Sequence, residues 1–198
     1  MPEADILIVG SGPAGLSTAG ALKQVGFESI LLDRGERIGQ SWEERYDRLH
    51  LHTVRDFSGL AHFPIRRTYP KYLSKDQYAQ YLREYAAAFE LKVLLRTRVS
   101  RVRQEEKGGR ARWVVEAGSE AWLGRVVVIA TGQYSRPLRP DWPGLAQYRG
   151  HPCTPQNTAA GELSKTRRRL SWGRATYVRI QPGFEAIGEG DIESHSFI

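Results

Sequence analysis

The chain opens with a continuous apolar run, Asp5-Ile-Leu-Ile-Val9, of the kind that is buried on both faces of a parallel sheet. A helical pattern follows at once, and Gly26 is typical of a residue that ends a helix. The apolar face of this helix is formed by Leu16, Ala19, Ala21, Leu22 and Val25. A second buried strand, Ser29–Leu32, ends at Asp33. These elements predict a β-α-β unit of about thirty residues.

The helical period is lost from Gly35 to Tyr72, where aromatic residues, histidines and prolines are frequent. Such composition predicts a long ordered loop that wraps around another part of the molecule. Ser74-Lys-Asp-Gln77 then resembles a capping box and begins an aromatic stripe at helical spacing. The stripe contains Tyr78, Tyr81, Leu82, Tyr85, Ala86 and Phe89. It predicts a helix from about Lys75 to Phe89 whose aromatic face lies in the core.

Alternation in twos predicts an antiparallel β-meander in the next part of the chain. Its segments are Lys92 to Val102, a turn at Lys107-Gly-Gly109, Arg112 to Glu116, and Glu120 to Leu123. Arg125-Val-Val-Val-Ile-Ala130 predicts a further buried strand that ends at Thr131-Gly132. The prolines and glycine of Leu138–Gly144 predict an exposed crossing segment.

Composition and charge narrow the class of protein. The 198 residues allow one substantial core, or one domain and part of a second. No apolar run is long enough to cross a bilayer and no signal sequence opens the chain, so a cytoplasmic protein without a membrane partner is expected. The net charge of +7 is scattered, and the basic run Lys165-Thr-Arg-Arg-Arg169 has no recognition fold beside it. No nucleic-acid partner is therefore expected.

Candidate chemistry lies in Gly10-Ser-Gly-Pro-Ala-Gly15, a G-x-G-x-x-G pattern between the first strand and its helix. A pyrophosphate needs backbone N–H donors, a positive helix end and no β-carbons in its way. Gly10 is predicted to form the tight turn, Gly12 to let the backbone approach the phosphates, and Gly15 to let helix and strand pack closely. Asp33 is positioned to accept a hydrogen bond from a ribose hydroxyl. The pattern predicts a dinucleotide site but does not choose between NAD(P) and FAD.

Three further features resemble the flavoproteins with two dinucleotide-binding domains, in which the first fingerprint binds FAD. They are Pro13-Ala14-Gly15-Leu16, the meander before the strand Val126 to Ala130, and Ala130-Thr131-Gly132 at the end of that strand. The resemblance implies an α/β fold: a Rossmann-like, three-layer FAD/NAD(P)-binding domain with a parallel sheet, an antiparallel β-meander and an irregular C-terminal tail.

Within that superfamily the chain resembles the flavin-containing, class B monooxygenases, in particular the YUCCA-type indole-pyruvate monooxygenases of plants and their bacterial relatives. Gly39-Gln-Ser-Trp42 looks like the family's G-x-x-W turn, and Tyr46-Asp-Arg-Leu-His-Leu-His52 resembles its Y-D-R-L-x-L-H stretch beside the flavin. The other matching segments are Phe63-Pro64, Tyr69–Tyr72, Gln77–Tyr85 and Val128–Gly132. The resemblance runs from Asp5 to about Gly150. It departs at Asp33, where glutamate is commoner in the family.

The resemblance implies FAD as cofactor and NADPH as co-substrate, with one oxygen atom passed through a flavin hydroperoxide to a small-molecule substrate. The cofactor-binding residues that it implies are Gly10, Gly12, Pro13, Ala14, Gly15, Asp33, Arg34, Gln40, Ser41, Trp42, His52, Ala130, Thr131 and Gly132. Trp42 either packs against the cofactor or helps to keep the flavin dry. His50 and His52 are interpreted as ordinary loop histidines, because no partner for a metal or a proton relay lies at suitable spacing. The sequence assigns no catalytic residue, no metal site, no oligomeric state and no single substrate among indole acids, amines, sulfides and ketones.

The family's second fingerprint, for NADPH, and the F-x-G-x-x-x-H-[ST] motif before it are not in this sequence. Tyr148-Arg-Gly150 begins that motif, but His151-Pro-Cys-Thr then departs from it. The tail can be back-translated in a shifted reading frame, in which each triplet joins the last base of one codon to the first two bases of the next codon. The triplets that this frame permits can encode S-L-H-S-S-E-Y and, later, A-L-V-V-G-A-G-N. In that frame Trp172-Gly173 requires a glycine where the fingerprint needs one. We therefore predict an FAD-binding domain over 1–150, and a tail over 151–198 whose reading frame shifted near His151.

Three alternatives remain. A non-catalytic FAD-binding fragment fits the missing second fingerprint. A disulfide reductase of related fold needs a redox-active cysteine pair, and Cys153 is the chain's single cysteine. Plain NAD binding would give a protein without flavin.

Overall fold

The computed structural model describes residues 1–107, 110–132, 151–153 and 169–171. The chain divides into two compact units, Met1–Ser135 and Arg136–Ile198. The strands and helices of the first unit are β1 (Glu3–Val9), α1 (Pro13–Gln24), β2 (Ser29–Leu32), α2 (Gln40–Glu43), α3 (Lys75–Ala88), β3 (Lys92–Leu94), β4 (Val99–Lys107), β5 (Arg110–Ala117) and β6 (Glu120–Ile129). A short 3₁₀ helix, Arg55–Phe57, lies in the long loop.

A six-stranded sheet with the order β3-β2-β1-β6-β5-β4 organises the first unit. The strands β3, β2, β1 and β6 pair in parallel, whereas β6, β5 and β4 form an antiparallel meander. The α/β class and the meander predicted from the sequence are therefore confirmed. The predicted turn residues Gly108 and Gly109, the crossing segment Leu138–Gly144 and the predicted domain end at Gly150 lie outside the described residues.

The strand β6 belongs to both parts of the sheet. Its first half pairs antiparallel with β5 and its second half, to Ile129, pairs in parallel with β1. The two separate strands predicted here are one strand, because Gly124 continues the pairing and its missing side chain leaves room for Leu7. The expectation of full burial is wrong for Val126 and Ile129, which are 48% and 61% exposed.

The predicted strand from Lys92 to Val102 is two strands. The first part, β3, pairs in parallel with β2, and β4 begins only at Val99. Between them Arg96 has a positive φ of 54° and its N–H donates to the Gly35 carbonyl at 2.8 Å, while the Thr97 N–H donates to the Asp33 carbonyl at 2.7 Å. Alternation in the sequence does not reveal this turn, because its partners lie some sixty residues earlier in the chain.

Two apolar clusters cover the two faces of the sheet and give the three predicted layers. On one face, Ile6, Ile8 and Leu31 pack with residues of α1 and α3. On the other face, Leu7, Val9 and Leu32 pack with Val115 of the meander. The side chains of β1 alternate between the two clusters, so this strand is buried on both faces as predicted.

The helix ends follow the sequence signals. Gly26 has a φ of 84°, and the N–H groups of Gly26 and Phe27 donate to the carbonyls of Lys23 and Leu22, which completes a Schellman motif after α1. The capping box of α3 is present: Gln77 N–H donates to the Ser74 hydroxyl and the Gln77 side chain accepts from Ser74 N–H.

The loop from Gly35 to Tyr72 is held by the aromatic stripe of α3. The Tyr81 hydroxyl donates to the Phe63 carbonyl at 2.5 Å and accepts from the Leu60 N–H at 2.7 Å. The Tyr85 hydroxyl donates to the Ala61 carbonyl at 3.1 Å. Both tyrosines are buried, which confirms the predicted core stripe. The loop therefore wraps over α3, because the buried hydroxyls need partners and the loop backbone supplies them.

Within the second unit, β7 (His151–Cys153) pairs in parallel with β8 (Arg169–Ser171). The other residues of the tail that is predicted to be irregular lie outside the described residues. Three-residue strands are too short to show a period in the sequence.

Candidate dinucleotide site

The turn between β1 and α1 requires glycine at two of its three fingerprint positions. Gly10 has a φ of 107°, and a β-carbon on it would lie 2.4 Å from the Ala130 carbonyl oxygen. A β-carbon on Gly15 would lie 2.0 Å from the Gly10 carbonyl oxygen. The predicted tight turn and the predicted close packing of helix on strand are therefore both present in the backbone.

Gly12 differs, because nothing in the described protein requires it. Its φ of −75° and ψ of −177° are open to any residue, and a β-carbon on it would have no atom within 4 Å. The open space adjoins the first turn of α1, where Pro13 occupies the first helical position and no side chain caps the helix. A phosphate that approaches the backbone closely needs such an open space, and a side chain at position 12 would fill it.

The first turn of α1 has donors to offer. Within the described residues the N–H groups of Gly12, Ala14 and Gly15 have no hydrogen-bond acceptor. The turn has no acidic residue, whereas Lys23 lies in the last turn of the helix. The positive end of the helix dipole therefore faces the space beside Gly12 without an acidic group on the helix to neutralise it.

Asp33 follows β2 and reaches across to the glycine turn. One carboxylate oxygen, Oδ2, accepts from the Ser11 N–H at 2.6 Å and from the Ser11 hydroxyl at 2.8 Å. The other, Oδ1, accepts from the Gly35 N–H at 2.7 Å. Arg34, beside it, is exposed. The carboxylate thus lies next to the fingerprint, as the sequence predicts for a ribose acceptor.

The end of β6 meets the same turn. The Ala130 N–H donates to the Val9 carbonyl at 2.9 Å, and the Ala130 β-carbon is the side-chain atom nearest to the missing β-carbon of Gly15. Thr131 and Gly132 follow at the exposed edge, with Gly132 at a φ of 74°. Ends of parallel strands at one sheet edge are the usual position of a nucleotide site in such folds.

Of the predicted residues on α2, Trp42 contacts α3, whereas Gln40 contacts the loop before α2 and Ser41 is exposed. Trp42 packs edge-on against Tyr78, with ring centroids 4.7 Å apart and an angle of 77° between the rings. Gln40 accepts from the Glu36 N–H at 2.6 Å and Ser41 is exposed. Gly39 has a φ of 84°, and a β-carbon on it would lie 2.8 Å from that of Ala79. The α2 turn is therefore pressed tightly onto α3.

An ionic network fixes this turn. Glu43 accepts from Arg37 Nε at 2.5 Å and from Arg83 Nη1 at 2.8 Å. Burial acts to raise the pKa of Glu43, but the hydrogen bonds from Arg83 and Arg37, with their positive charges, outweigh it and hold this pKa below its ordinary value. Glu43 is therefore ionised and holds α2 against α3.

Lys75, at the first position of α3, ties down the chain that follows α2. It is only 9% exposed, and its Nζ donates to the carbonyls of Glu43 and Arg45 at 2.7 and 2.9 Å. Asp47 Oδ1 lies 3.7 Å from the same nitrogen. The stretch that resembles the family's flavin-side segment, Tyr46 to His52, therefore starts from a fixed point.

The two histidines of this stretch have no special partner among the described residues. His50 Nδ1 lies 3.0 Å from the Arg48 carbonyl oxygen, and His52 is exposed. Leu51 N–H donates to the Leu73 carbonyl and Lys75 N–H to that of Leu49, so the stretch runs antiparallel to the chain before α3. Backbone hydrogen bonds therefore fix the stretch around both histidines, and the role of their side chains stays a prediction.

The structure thus brings together Gly10 to Gly15, Asp33 and Ala130, whereas Trp42 and His52 lie in the neighbouring α2 region without contact to the turn. The site prediction omitted two anchoring residues, Ser11 and Lys75. A lysine in the first turn of a helix opposes the helix dipole, and this was a usable sign of a special role. Nothing in the sequence pattern marks Ser11, whose importance depends on the distant Asp33.

In the part of the chain that the structure describes, no group of histidine, cysteine, aspartate and glutamate side chains could hold a metal ion. No helix in that part is long and apolar enough to span a bilayer.

Comparisons with known proteins agree with this geometry. The family model for pyridine nucleotide-disulphide oxidoreductases matches residues 7–164. Indole-3-pyruvate monooxygenase YUCCA6 of Arabidopsis thaliana is 37% identical over 145 residues, which cover 72% of this chain and 35% of that protein. The chain spans about a third of the length of the curated relatives it matches.

Solved structures show the same likeness. A flavin-containing monooxygenase from Stenotrophomonas maltophilia has a TM-score of 0.71 at 28% identity, over 79% of this chain and 46% of that chain. The protein OTEMO, solved in complex with FAD and NADP, has a TM-score of 0.63 at 24% identity, over 79% and 31%. The second likeness is one of fold alone. The chain belongs to the pyridine nucleotide-disulphide oxidoreductase family and, within it, to the class B flavin monooxygenases.

Proposed function

We propose that this chain binds FAD at the turn Gly10 to Gly15 and forms the FAD-binding part of an NADPH-using monooxygenase. The observation that carries the proposal is Gly12. The fold requires Gly10 and Gly15, but at Gly12 the backbone angles are ordinary and the space is open. A glycine that the protein does not need for itself is explained by a ligand that approaches the backbone closely.

The residues at the turn fit the adenosine and pyrophosphate parts of FAD. The N–H groups of Gly12, Ala14 and Gly15 would donate to the pyrophosphate, helped by the positive end of α1. Asp33 would accept from a ribose hydroxyl. Arg34, Thr131 and Gly132 lie at the same edge of the sheet and are exposed, so they would border the bound cofactor.

FAD, when bound, supplies the redox ring that takes a hydride from NADPH and reacts with oxygen. The protein's task is to hold that ring and to exclude water from it. Gln40, Ser41, Trp42 and His52 are proposed for this part of the site. Trp42 is fixed by Tyr78 and the chain after it by Lys75, so this region is held rigidly before any cofactor binds.

Reduction of disulfides, the reaction in the name of the wider family, is a poor fit to this chain. That chemistry needs a redox-active pair of cysteines, and the chain has one cysteine. The relatives with YUCCA names and the Stenotrophomonas maltophilia protein are monooxygenases by name, which favours oxygenation.

A second candidate is FAD binding without turnover. It is favoured by the share of the relatives that the chain matches, 35% of the YUCCA6 protein. NADPH oxidation is therefore the property that separates the two candidates.

Both candidates are tested by the visible absorbance spectrum of the purified protein, before and after incubation with FAD, followed by NADPH without oxygen. A yellow protein that bleaches supports a monooxygenase with a working NADPH site. A yellow protein that does not bleach supports FAD binding without turnover. A protein that stays colourless after incubation with FAD, while circular dichroism shows it folded, overturns both. Gly12→Ala is the matched variant of the site and should fold but bind FAD at least about tenfold more weakly than the wild type.

A further inference from the structure

Ser11 lies between the first two glycines of the fingerprint and is 3% exposed. Its N–H and its hydroxyl both donate to a single atom, Asp33 Oδ2, at 2.6 and 2.8 Å. Asp33 Oδ1 accepts from the Gly35 N–H at 2.7 Å. The carboxylate therefore joins the turn that follows β1 to the turn that follows β2.

The number of hydrogen bonds that the Asp33 carboxylate can accept shows how many remain for a ligand. An ionised carboxylate offers about four acceptor positions, two on each oxygen. Ser11 takes both positions on Oδ2 and Gly35 takes one on Oδ1. One position, on Oδ1, is left. Because the Ser11 N–H already donates to Asp33, it cannot donate to a phosphate. The N–H groups of Gly12, Ala14 and Gly15 remain as donors to a phosphate.

We propose that Ser11 is a positioning residue for the adenosine half of FAD: it holds Asp33 Oδ2 so that Oδ1 alone accepts from the ribose. This inference rests on the proposed FAD binding and assigns a role to a residue at a variable position of the fingerprint. Hydrogen bonds from a hydroxyl to a carboxylate are short and strong, so the side chain of Asp33 is fixed before the cofactor arrives. Fixing it in advance lowers the ordering cost of binding.

The same contact explains why an aspartate fits at this position. A glutamate side chain would hold its carboxylate about 1.5 Å further from the backbone, which is the length of one carbon–carbon bond. The Ser11 hydroxyl, at 2.8 Å from the present carboxylate, would then be crowded or lose its partner. Ser11 and Asp33 should therefore be coupled, so that a longer acid is tolerated only when the hydroxyl is absent.

The test measures the affinity of the full chain for FAD, for ADP and for FMN, which lacks the adenosine half, together with the thermal unfolding midpoint. Ser11→Ala is expected to weaken FAD and ADP about tenfold, which corresponds to ~1.4 kcal/mol, and to leave FMN unchanged. Asp33→Glu alone should weaken FAD, and adding Ser11→Ala to it should restore part of the loss. Thr18→Ala removes a hydroxyl that donates only to the Ala14 carbonyl on the same helix, and it serves as the control.

The outcomes separate this inference from the proposed function. If the wild-type chain binds neither FAD nor ADP, the proposed function fails and the role of Ser11 falls with it. If the wild-type chain binds FAD and Ser11→Ala binds it equally well, the Ser11 inference alone is overturned. An equal loss for FMN, or strictly additive effects of the two substitutions, also overturns it. If Ser11→Ala does not fold, Ser11→Cys, which keeps the size of the side chain but is only a weak hydrogen-bond donor, takes its place.

Discussion

The carbonyl oxygen of Gly10 lies 2.0 Å from the position that a β-carbon on Gly15 would occupy. Carbon and oxygen atoms that are not bonded cannot approach so closely, so α1 reaches its position on β1 only because Gly15 has no side chain. The same test finds open space around Gly12. The two glycines of this motif are therefore needed for different reasons. Gly15 is needed for packing within the fold, whereas Gly12 faces open space outside it.

This difference predicts unequal effects on stability when the same substitution is made at the two glycines. Gly15→Ala should lower the free energy of unfolding by about 1–3 kcal/mol, because the new methyl group overpacks the turn. Gly12→Ala should change the free energy of unfolding by less than about 1 kcal/mol, because alanine restricts the unfolded chain and fits the backbone angles, whereas it is a poorer N-cap for α1 than glycine. Urea unfolding of both variants measures this.

The affinity for FAD completes the comparison. Gly12→Ala should reduce FAD affinity at least about tenfold, or ~1.4 kcal/mol, since the methyl group enters the space proposed for the pyrophosphate. A Gly12→Ala protein that is stable and binds FAD as tightly as the wild type would contradict the proposed site. Equal destabilisation by the two substitutions would contradict the distinction between the glycines.

The elements that the sequence predicts well are those determined by near neighbours. The capping box of α3 and the Schellman motif at Gly26 depend on residues three to five positions apart, and both are present. The glycine turn is likewise marked by its own residues and by the strand before it.

The features missed depend on distant partners. Ser11 contacts Asp33 and Lys75 contacts carbonyls about thirty residues earlier, so no local pattern identifies these partners. For Lys75 the sequence shows only that a lysine lies in the first turn of a helix, where it opposes the dipole. The strand β6 looks like two strands because its two halves have different partners, an antiparallel one and a parallel one. Trp42, placed near the flavin from the resemblance, has its described contact with Tyr78 of α3.

The stability of the α3 region should depend on alkaline pH through Tyr78. Burial raises the pKa of Tyr78 to about 12, with the charge of Tyr81 as a further cause. An acid with a raised pKa in the folded state contributes stability below its unfolded value, about 10, and that contribution is lost as pH rises toward 12. Tyr78→Phe should therefore reduce the fall in unfolding free energy between about pH 10 and 12 by about 1–2 kcal/mol.

Urea unfolding at several pH values tests this, and absorbance of the phenolate follows the titration directly. Tyr72→Phe removes the same hydroxyl from a residue that is 45% exposed and provides the control. The same slope for the wild type and Tyr78→Phe would show that another group governs the alkaline transition.

The reading-frame hypothesis predicts a defined lesion in the gene. Sequencing of source DNA through the codon of His151 should show one base fewer than in intact relatives. Restoring that base should encode S-L-H-S-S-E-Y after Gly150 and a glycine from the junction of Trp172 and Gly173. A gene that has no missing base, together with peptides of the present tail found by mass spectrometry of the native protein, would refute the hypothesis.

The last prediction concerns Lys75, whose buried Nζ satisfies the carbonyls of Glu43 and Arg45. Lys75→Met keeps most of the apolar stem but leaves those two acceptors without their donor. Buried polar groups without a hydrogen-bond partner cost about 1–3 kcal/mol each. The carbonyls at the end of α2 can regain part of this free energy by accepting hydrogen bonds from water. We therefore expect a loss of about 1–3 kcal/mol in unfolding free energy, and weaker binding of FAD than in the wild type, because the chain from Tyr46 to His52 loses its fixed start.

Lys71→Met is the matched control, since Lys71 precedes the same helix but is exposed. A change of less than about 0.5 kcal/mol is expected there. If Lys71→Met and Lys75→Met destabilise the protein equally, the loss is one of net charge and the anchoring role is wrong. If Lys75→Met is destabilised while its FAD affinity is unchanged, Lys75 anchors the loop but the loop does not hold the cofactor, and the flavin-side assignment of Tyr46 to His52 must be abandoned.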